Sequence, residues 1–466
     1  MGSTIRLLAY AFTVVSALAQ SPLPPAPGTS VVTVSPQGGH YSEPGIAVNP
    51  KNPKQIVAVY QGGAGIQGSA TAAFSTDGGS TFKIAEGTHP PDWKVAGDVS
   101  TAFDNKGDAY LCYLAFDKLG TADYWAHGAG RNGIFVLRSK DGGKIWGRRA
   151  VAIKAFQTGK EQGLQFEDEP RIFADTSPAS RYAGNLYVGW VEWQLTQSVI
   201  LFSRSTNEGQ TWSTPVQIST HPGLPRDDNG SLGGFAQAVG PDGSLYAIWD
   251  DGDSIVLTES SDGGKTFNKP RTALEIGPPY FGEVTGVSRV EGFPQIAIDP
   301  HSGKSGGNLY ICWSDYRNGD VDVFVAASHD HGRNWSQPVR VNNDPLHNGK
   351  DQFYEWMTVD PVTSALYVQF YDRRQDPKGR DLQMTLERST DGGRTFTNYA
   401  WSKTPFDPSG SFLGDYTWMT AYDNHVYGAW TEAVKSPEPT AKAGAAHRRG
   451  SKTIIMVGKA DFSKTR

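Results

Sequence analysis

The sequence predicts an all-β protein, a seven-bladed β-propeller of four-stranded antiparallel blades, and three observations carry that expectation. The first is a box, Ser-x-Asp-x-Gly-x-x-aromatic, written six times: Ser75–Phe82, Ser139–Trp146, Ser205–Trp212 (with Asn207 for the aspartate), Ser260–Phe267, Ser328–Trp335 and Ser389–Phe396. The third residues of successive boxes lie 55 to 68 positions apart, a period that signals a repeat architecture. The second is a pair of strand patterns between boxes: an apolar run closing on Asn or Asp, then Tyr-x-x-aromatic, usually followed by an acid. The third is the absence of helical periodicity in a chain with 54 Gly, 29 Pro and 13 Trp.

In chain order, residues 1–19 read as a secretory signal, with Arg6 the only charge, an apolar run from Leu7 to Leu18 and small residues at Ala17 and Ala19. The run is too short to span a bilayer. Residues 20–28 form a Pro-rich leader, and residues 29–466 are expected to be one propeller domain. The first strands of the units begin near Glu43, Asp98, Glu169, Ser231, Phe293, Gln352 and Asp415, which counts seven blades. Six boxes would also suit a six-bladed ring, the alternative architecture. Second strands include Tyr187–Trp190, Tyr246–Trp249, Tyr310–Trp313, Tyr367–Phe370 and Tyr427–Trp430; a third strand enters each box and a fourth leaves it. The last unit has neither box nor fourth strand. The lone strand Ser30–Ser35 can supply that strand and hide a free edge.

Within each box, a short Asx side chain bonds the backbone ahead of it and glycine supplies the positive φ of a tight hairpin. Cys112 and Cys312 occupy equivalent places in non-adjacent units, so two buried thiols and no disulfide are expected. The net charge of -5, with both signs interspersed, argues against nucleic-acid or membrane partners. The expected protein is extracellular and monomeric. Asn229 and Asn334 head glycosylation sequons.

Strand alternation sorts the loops onto two faces, with every box on one of them. The opposite face collects His40, Glu43, Asp98, Glu169, Arg171, Asp351, Asp415 and Tyr416 at the first strands, and Arg317 and Arg373 after the second strands. A long loop, Ala115–Gly133, adds Trp125, His127 and Arg131. Glu43, Asp98 and Glu169 share one position, six residues before the closing Asn or Asp. These carboxylates could serve as acid and base, hold Ca²⁺, or simply bind loop amides. No other cofactor is expected. His127 and His40 are candidate proton carriers or ligand contacts, each set against a solvated imidazole, and Tyr416 is a candidate activated phenol against a satisfied core tyrosine. Trp125 could stack on a sugar ring. The acids after Trp190, Trp249, Trp313 and Trp430 recur too regularly for individual catalytic roles and read as caps and ion pairs between blades.

The boxes and the units between them resemble the Asp-box (BNR) repeats of the sialidase-like propeller superfamily, over nearly all of the chain after the signal. That resemblance implies glycan chemistry: an arginine triad that grips a carboxylate, a carboxylic acid, and a tyrosine nucleophile paired with glutamate. The Arg-Ile-Pro motif of sialidases is missing; Tyr41–Gly45 stands in its place, and the nearest lookalike, Pro170-Arg-Ile-Phe173, follows two boxes. The expected activity is therefore a secreted glycoside hydrolase or polysaccharide lyase, with catalytic roles assigned to Glu43, Asp98, Glu169, His127, Asp415 and Tyr416. Substrate contacts are assigned to His40, Trp125, Arg131, Arg171, Arg317, Asp351 and Arg373. The alternatives are a propeller recruited to small-molecule biosynthesis (dehydration, cyclisation or Diels–Alder-type addition) and a glycan-binding module without turnover.

Overall fold

A computed structural model describes residues 21–63, 69–88, 95–117, 131–147, 149–157, 165–194, 196–225, 230–277, 281–301, 307–434 and 452–465. The strands form seven four-stranded antiparallel sheets and one two-stranded hairpin, so the ring has seven blades rather than the alternative six. Their first strands are His40–Val48, Val95–Phe103, Phe166–Ala174, Leu232–Val239, Gln295–Asp299, Gln352–Val359 and Trp418–Tyr422, in the order blade 1 to blade 7. In blade 7 the outer strand is Ser30–Thr33, paired with Thr453–Asp461 from the opposite end of the chain. The leader extends this closure: Ala26 N donates to Ala400 O (3.0 Å) and Asp461 N to Pro27 O (2.8 Å), tying blade 6 to blade 7.

The six boxes adopt one hydrogen-bonding scheme. Ser75 Oγ accepts from Gly79 N (2.9 Å) and donates to Asp77 Oδ1 (2.7 Å). Asp77 Oδ1 also accepts from Ser80 N and Thr81 N, and Thr81 Oγ1 donates to Oδ2 (2.6 Å). Gly78 and Gly79 have φ of 70° and 80°, a region costly for any residue with a Cβ. In the third box Asn207 turns an amide donor toward Thr211 Oγ1 (2.9 Å). In the fifth, Asn334 replaces the threonine, and its Nδ2 donates to Asp330 Oδ2 (2.6 Å).

The boxes rest on the Tyr-x-x-aromatic strand of the preceding blade. A Cβ added at Gly79 would stand 3.0 Å from the ring of Tyr427, and one at Gly209 3.4 Å from that of Tyr110. The second repeated pattern thus supplies the floor for the first, and the core lies in the seams between blades. Trp190, Trp249, Trp313 and Trp430 are buried there. The acids after two of them act as caps: Trp313 Nε1 donates to Asp315 and Trp430 Nε1 to Glu432, each at 2.8 Å. Glu192, after Trp190, pairs instead with Lys154 of blade 2. Cys112 and Cys312 are buried free thiols, whose ionisation burial suppresses.

Candidate functional site

Five first strands carry the same β-bulge, one extra residue between Ser42 and Gly45, Gly97 and Ser100, Asp168 and Arg171, Gly233 and Ala236, and Phe353 and Trp356. A bulge bends its strand and re-aims a side chain. The residue after the first of each pair is left-handed: Glu43 (φ 52°), Asp98 (47°), Glu169 (51°), Gly234 (62°) and Tyr354 (56°). Four of the five bear side chains, at a cost of about 1–2 kcal/mol each. Strain of this kind concentrates at functional sites. Tyr416 of blade 7 belongs to the same ring: it stands two residues before Trp418, the first residue of its strand to pair, as Glu43, Asp98 and Glu169 stand two before Gly45, Ser100 and Arg171, where pairing resumes after the bulge.

The three acids do different work. Glu169 Oε2 accepts Gly234 N of the next blade (2.9 Å), and Asp98 Oδ2 accepts Glu169 N (3.2 Å). Glu169 therefore binds a loop amide. Glu43 is 2% exposed and lies beside the Asp98 carboxyl; its Oε2 has no hydrogen-bond partner among the described residues. Burial first, and then the charges of Asp98 and Asp415, push its carboxyl well above the usual range. Its neighbour Asp98 is only half-buried.

Two residues beyond the bulge ring lies a second layer. Gly45, Ser100 and Ala236 leave room there for Arg171, whose guanidinium centre sits 3.8 Å from the Tyr416 ring centroid, 5.1 Å from that of Trp418 and 5.4 Å from that of Trp356. Trp356 and Trp418 stack at 3.9 Å. Arg171 is 2% exposed, has no ion-pair partner among the described residues, and its Nη1 makes no hydrogen bond. It is the only buried arginine of this layer and is held by π faces rather than by carboxylates. Tyr416 is buried, its hydroxyl reaching Val99 O at 3.5 Å. Burial and the neighbouring Glu43 hold its phenol well above 10, against the opposing charge of Arg171. On the box side of this layer the axis opens into a cavity of about 690 Å³, lined by residues such as Ile46, Ile172, Ala238 and Met357 and separate from the acids.

The remaining sequence-assigned residues divide. Asp415 joins the site through Arg289, whose Nε donates to Oδ1 (2.9 Å) and whose Nη2 pairs with Oδ2. Arg289 lies on a hairpin, Phe281–Val284 and Val287–Glu291, inserted between blades 4 and 5, and also stands 3.1 Å from Glu291. Sequence reasoning missed this hairpin because it carries no box and no repeat register. It missed Tyr354 too, although counting six back from Asp360 finds it. Tyr354 Oη donates to Arg289 O (2.5 Å). Arg373 and Asp351, assigned to substrate, serve the hairpin instead: Arg373 pairs with Asp351 (3.3 Å) and donates to Thr285 O in the hairpin turn. Arg317 bonds Asp315 (2.8 Å) and lies over Phe324, so it serves the blade 5 cap. Arg131 faces Asp117 (3.8 Å) at the neck of the long loop, and His40 is exposed at the edge of blade 1. Trp125, His127 and Asn229 lie outside the described residues, as does the signal segment. Among the described residues no group of three or more His, Cys, Asp or Glu could hold a metal ion.

No family model matches the chain. A sialidase from Bacteroides fragilis is 25% identical over 171 residues, which covers 32% of this chain and 29% of that protein; the matched segment is therefore less than a third of the relative's length. Solved structures with partial likeness include an α-L-arabinofuranosidase of Fusarium graminearum (12% identity, 78% of this chain and 93% of that one, TM-score 0.48). Others are an ulvan lyase (12%, 86% and 93%, 0.48) and a leech intramolecular trans-sialidase (12%, 83% and 70%, 0.46). The resemblance to sialidase-like propellers thus rests on the boxes, the blade architecture and this partial sequence match.

Proposed function

We propose that the protein is a secreted, monomeric carbohydrate-active enzyme, a glycoside hydrolase or polysaccharide lyase, working at the axial end opposite the boxes. The observation that carries this reading is the Glu43–Asp98 carboxyl pair of the bulge ring, both members in the left-handed region and Glu43 buried with its carboxyl raised well above the usual range. Proton transfer to a glycosidic oxygen, or from a carbon beside a carboxylate, needs such a group. The two carboxyls are read as near neighbours, not as the acid and the nucleophile or base of a glycosidase, which stand roughly 5–9 Å apart. They therefore act as one unit, with half-buried Asp98 meeting substrate and Glu43 behind it. The second role falls to Tyr416 or Asp415. Arg171, a cation without an ion-pair partner among the described residues, favours an acidic sugar over a neutral one. The partial match to a sialidase supports the same substrate class.

The test is incubation of the purified protein with acidic polysaccharides and, in parallel, neutral aryl glycosides. Turnover of an acidic glycan that is lost in Asp98→Asn supports the reading. Product from neither class overturns it, and glycan capture without turnover would leave a binding module.

A further inference from the structure

The inserted hairpin packs Val284, Val287 and Val290 into the main core cluster. Its turn is held by Arg373 at Thr285 O and its end by Tyr354 at Arg289 O. Both anchors come from blade 6, so the hairpin passes beyond blade 5, whose first strand follows it in sequence. Its product at the axis is one guanidinium that faces two carboxylates, Asp415 and Glu291. Arg289 grips Asp415 with two nitrogens, the geometry that fixes a carboxylate in direction as well as in place.

The chain just before Asp415 packs directly on Glu43, since a Cβ added at Gly414 would stand 2.7 Å from Glu43 Cγ; the groups that face Glu43 are Asp98 from blade 2, Asp415 and Tyr416 from blade 7 and Arg289 from the hairpin. Resting on the proton-transfer reading above, we propose that Arg289 is a positioning residue: it fixes the Asp415 carboxylate beside Glu43, and that fixed negative charge keeps Glu43 protonated. Asp98, half-buried, is then the carboxyl group that meets substrate. A like charge close to a buried carboxyl disfavours its ionisation, whereas a neutral amide in the same place does not. The hairpin is in this sense a component of the acid–base site, although it belongs to no blade.

The experiment uses the whole protein without substrate, following denaturant unfolding against pH. Asp415→Asn is expected to lower the pH at which Glu43 releases its proton by about one unit. The shift should disappear when the same change is made in a Glu43→Gln background. Arg289→Lys keeps the charge but loses the fork, and should move the transition in the same direction by less. It also keeps the test alive if Asp415→Asn fails to fold. An unchanged transition in the folded variants overturns the proposal. Because no substrate is present, a negative glycan panel leaves this result readable. Where turnover is found, the alkaline limb of the pH–rate profile should shift with the unfolding transition.

Discussion

The two ends of the propeller axis use the same residue type at repeated turns and reach opposite electrostatic states. On the box face, Asp77, Asp262, Asp330 and Asp391 accept several donors each, and those donors bring their carboxyls down to about 2. On the opposite face, Glu43 lies in a bulge among other acids, and burial brings its carboxyl up. The difference is one of donor supply. A box aspartate is surrounded by its own turn's N–H and O–H groups, so nothing remains for it to do. Glu43 has lost water without gaining enough donors, and it keeps a proton instead. A recurrent acid is therefore weak evidence of chemistry, and an acid that recurs with its partners missing is stronger evidence.

The sharpest way to break this comparison is to neutralise one acid at each end. Asp98→Asn should lower turnover of a responding glycan by roughly 10²–10⁴-fold, while Asp262→Asn leaves kcat unchanged; equal losses in steady-state assays would erase the distinction. Next in size is the box scaffold itself. Ser260 Oγ satisfies the buried Gly264 N (3.0 Å), so Ser260→Ala should cost roughly 1–3 kcal/mol in denaturant unfolding.

The pH dependence of stability separates the two populations by sign. The box aspartates have folded values below their unfolded ones, so their contribution is present above about pH 4 and fades as pH falls toward about 2. Glu43 and Glu387 lie well above the usual range, and Glu355, buried in the blade 6 bulge, is pushed up to about 7. Their contribution is complete below about pH 4.5 and is lost as pH rises through the folded values. Thermal melts should therefore show a maximum on the acid side of neutrality, and Glu355→Gln should flatten the decline near pH 7. The smallest effect expected is at the degenerate box. Asn207→Asp restores the acceptor that Thr211 meets in the other boxes, which should add a few tenths of a kcal/mol; a loss would mean that the amide is the better partner there.

Most of the scaffold was legible because it is repeated. The boxes, the Tyr-x-x-aromatic strands and the missing last strand each leave a trace that a second copy confirms, so blade number and closure follow from counting. The site was legible only where it borrows the repeat. Glu43 and Asp98 share one offset from the closing Asn or Asp of their strands, Tyr416 falls in the same register one residue further back, and they do come together with Asp415. Arg289 could not be found this way: it lies on a hairpin that occurs once, and nothing local distinguishes it from Arg317 or Arg373. Which of several arginines faces the axis depends on partners distant in sequence, such as Asp415 for Arg289, 126 residues away. Glu169 shows the converse, since the shared offset marked it but the amide of Gly234 had already claimed its carboxylate.

The closure of blade 7 bears on how the molecule is made. Ser30 pairs with Lys459 and Thr453 Oγ1 bonds Tyr41, contacts that span most of the chain. During synthesis each earlier blade can form as its own hairpins emerge, but the seam between blade 1 and blade 7 must wait for the last segment. Until then the amino-terminal strand has no sheet to join and the ring is an open arc with two raw sides. Native assembly should show a fast phase of blade formation followed by a slow, length-dependent latch. Chains truncated before Thr453 should persist as aggregation-prone arcs rather than as slightly smaller rings.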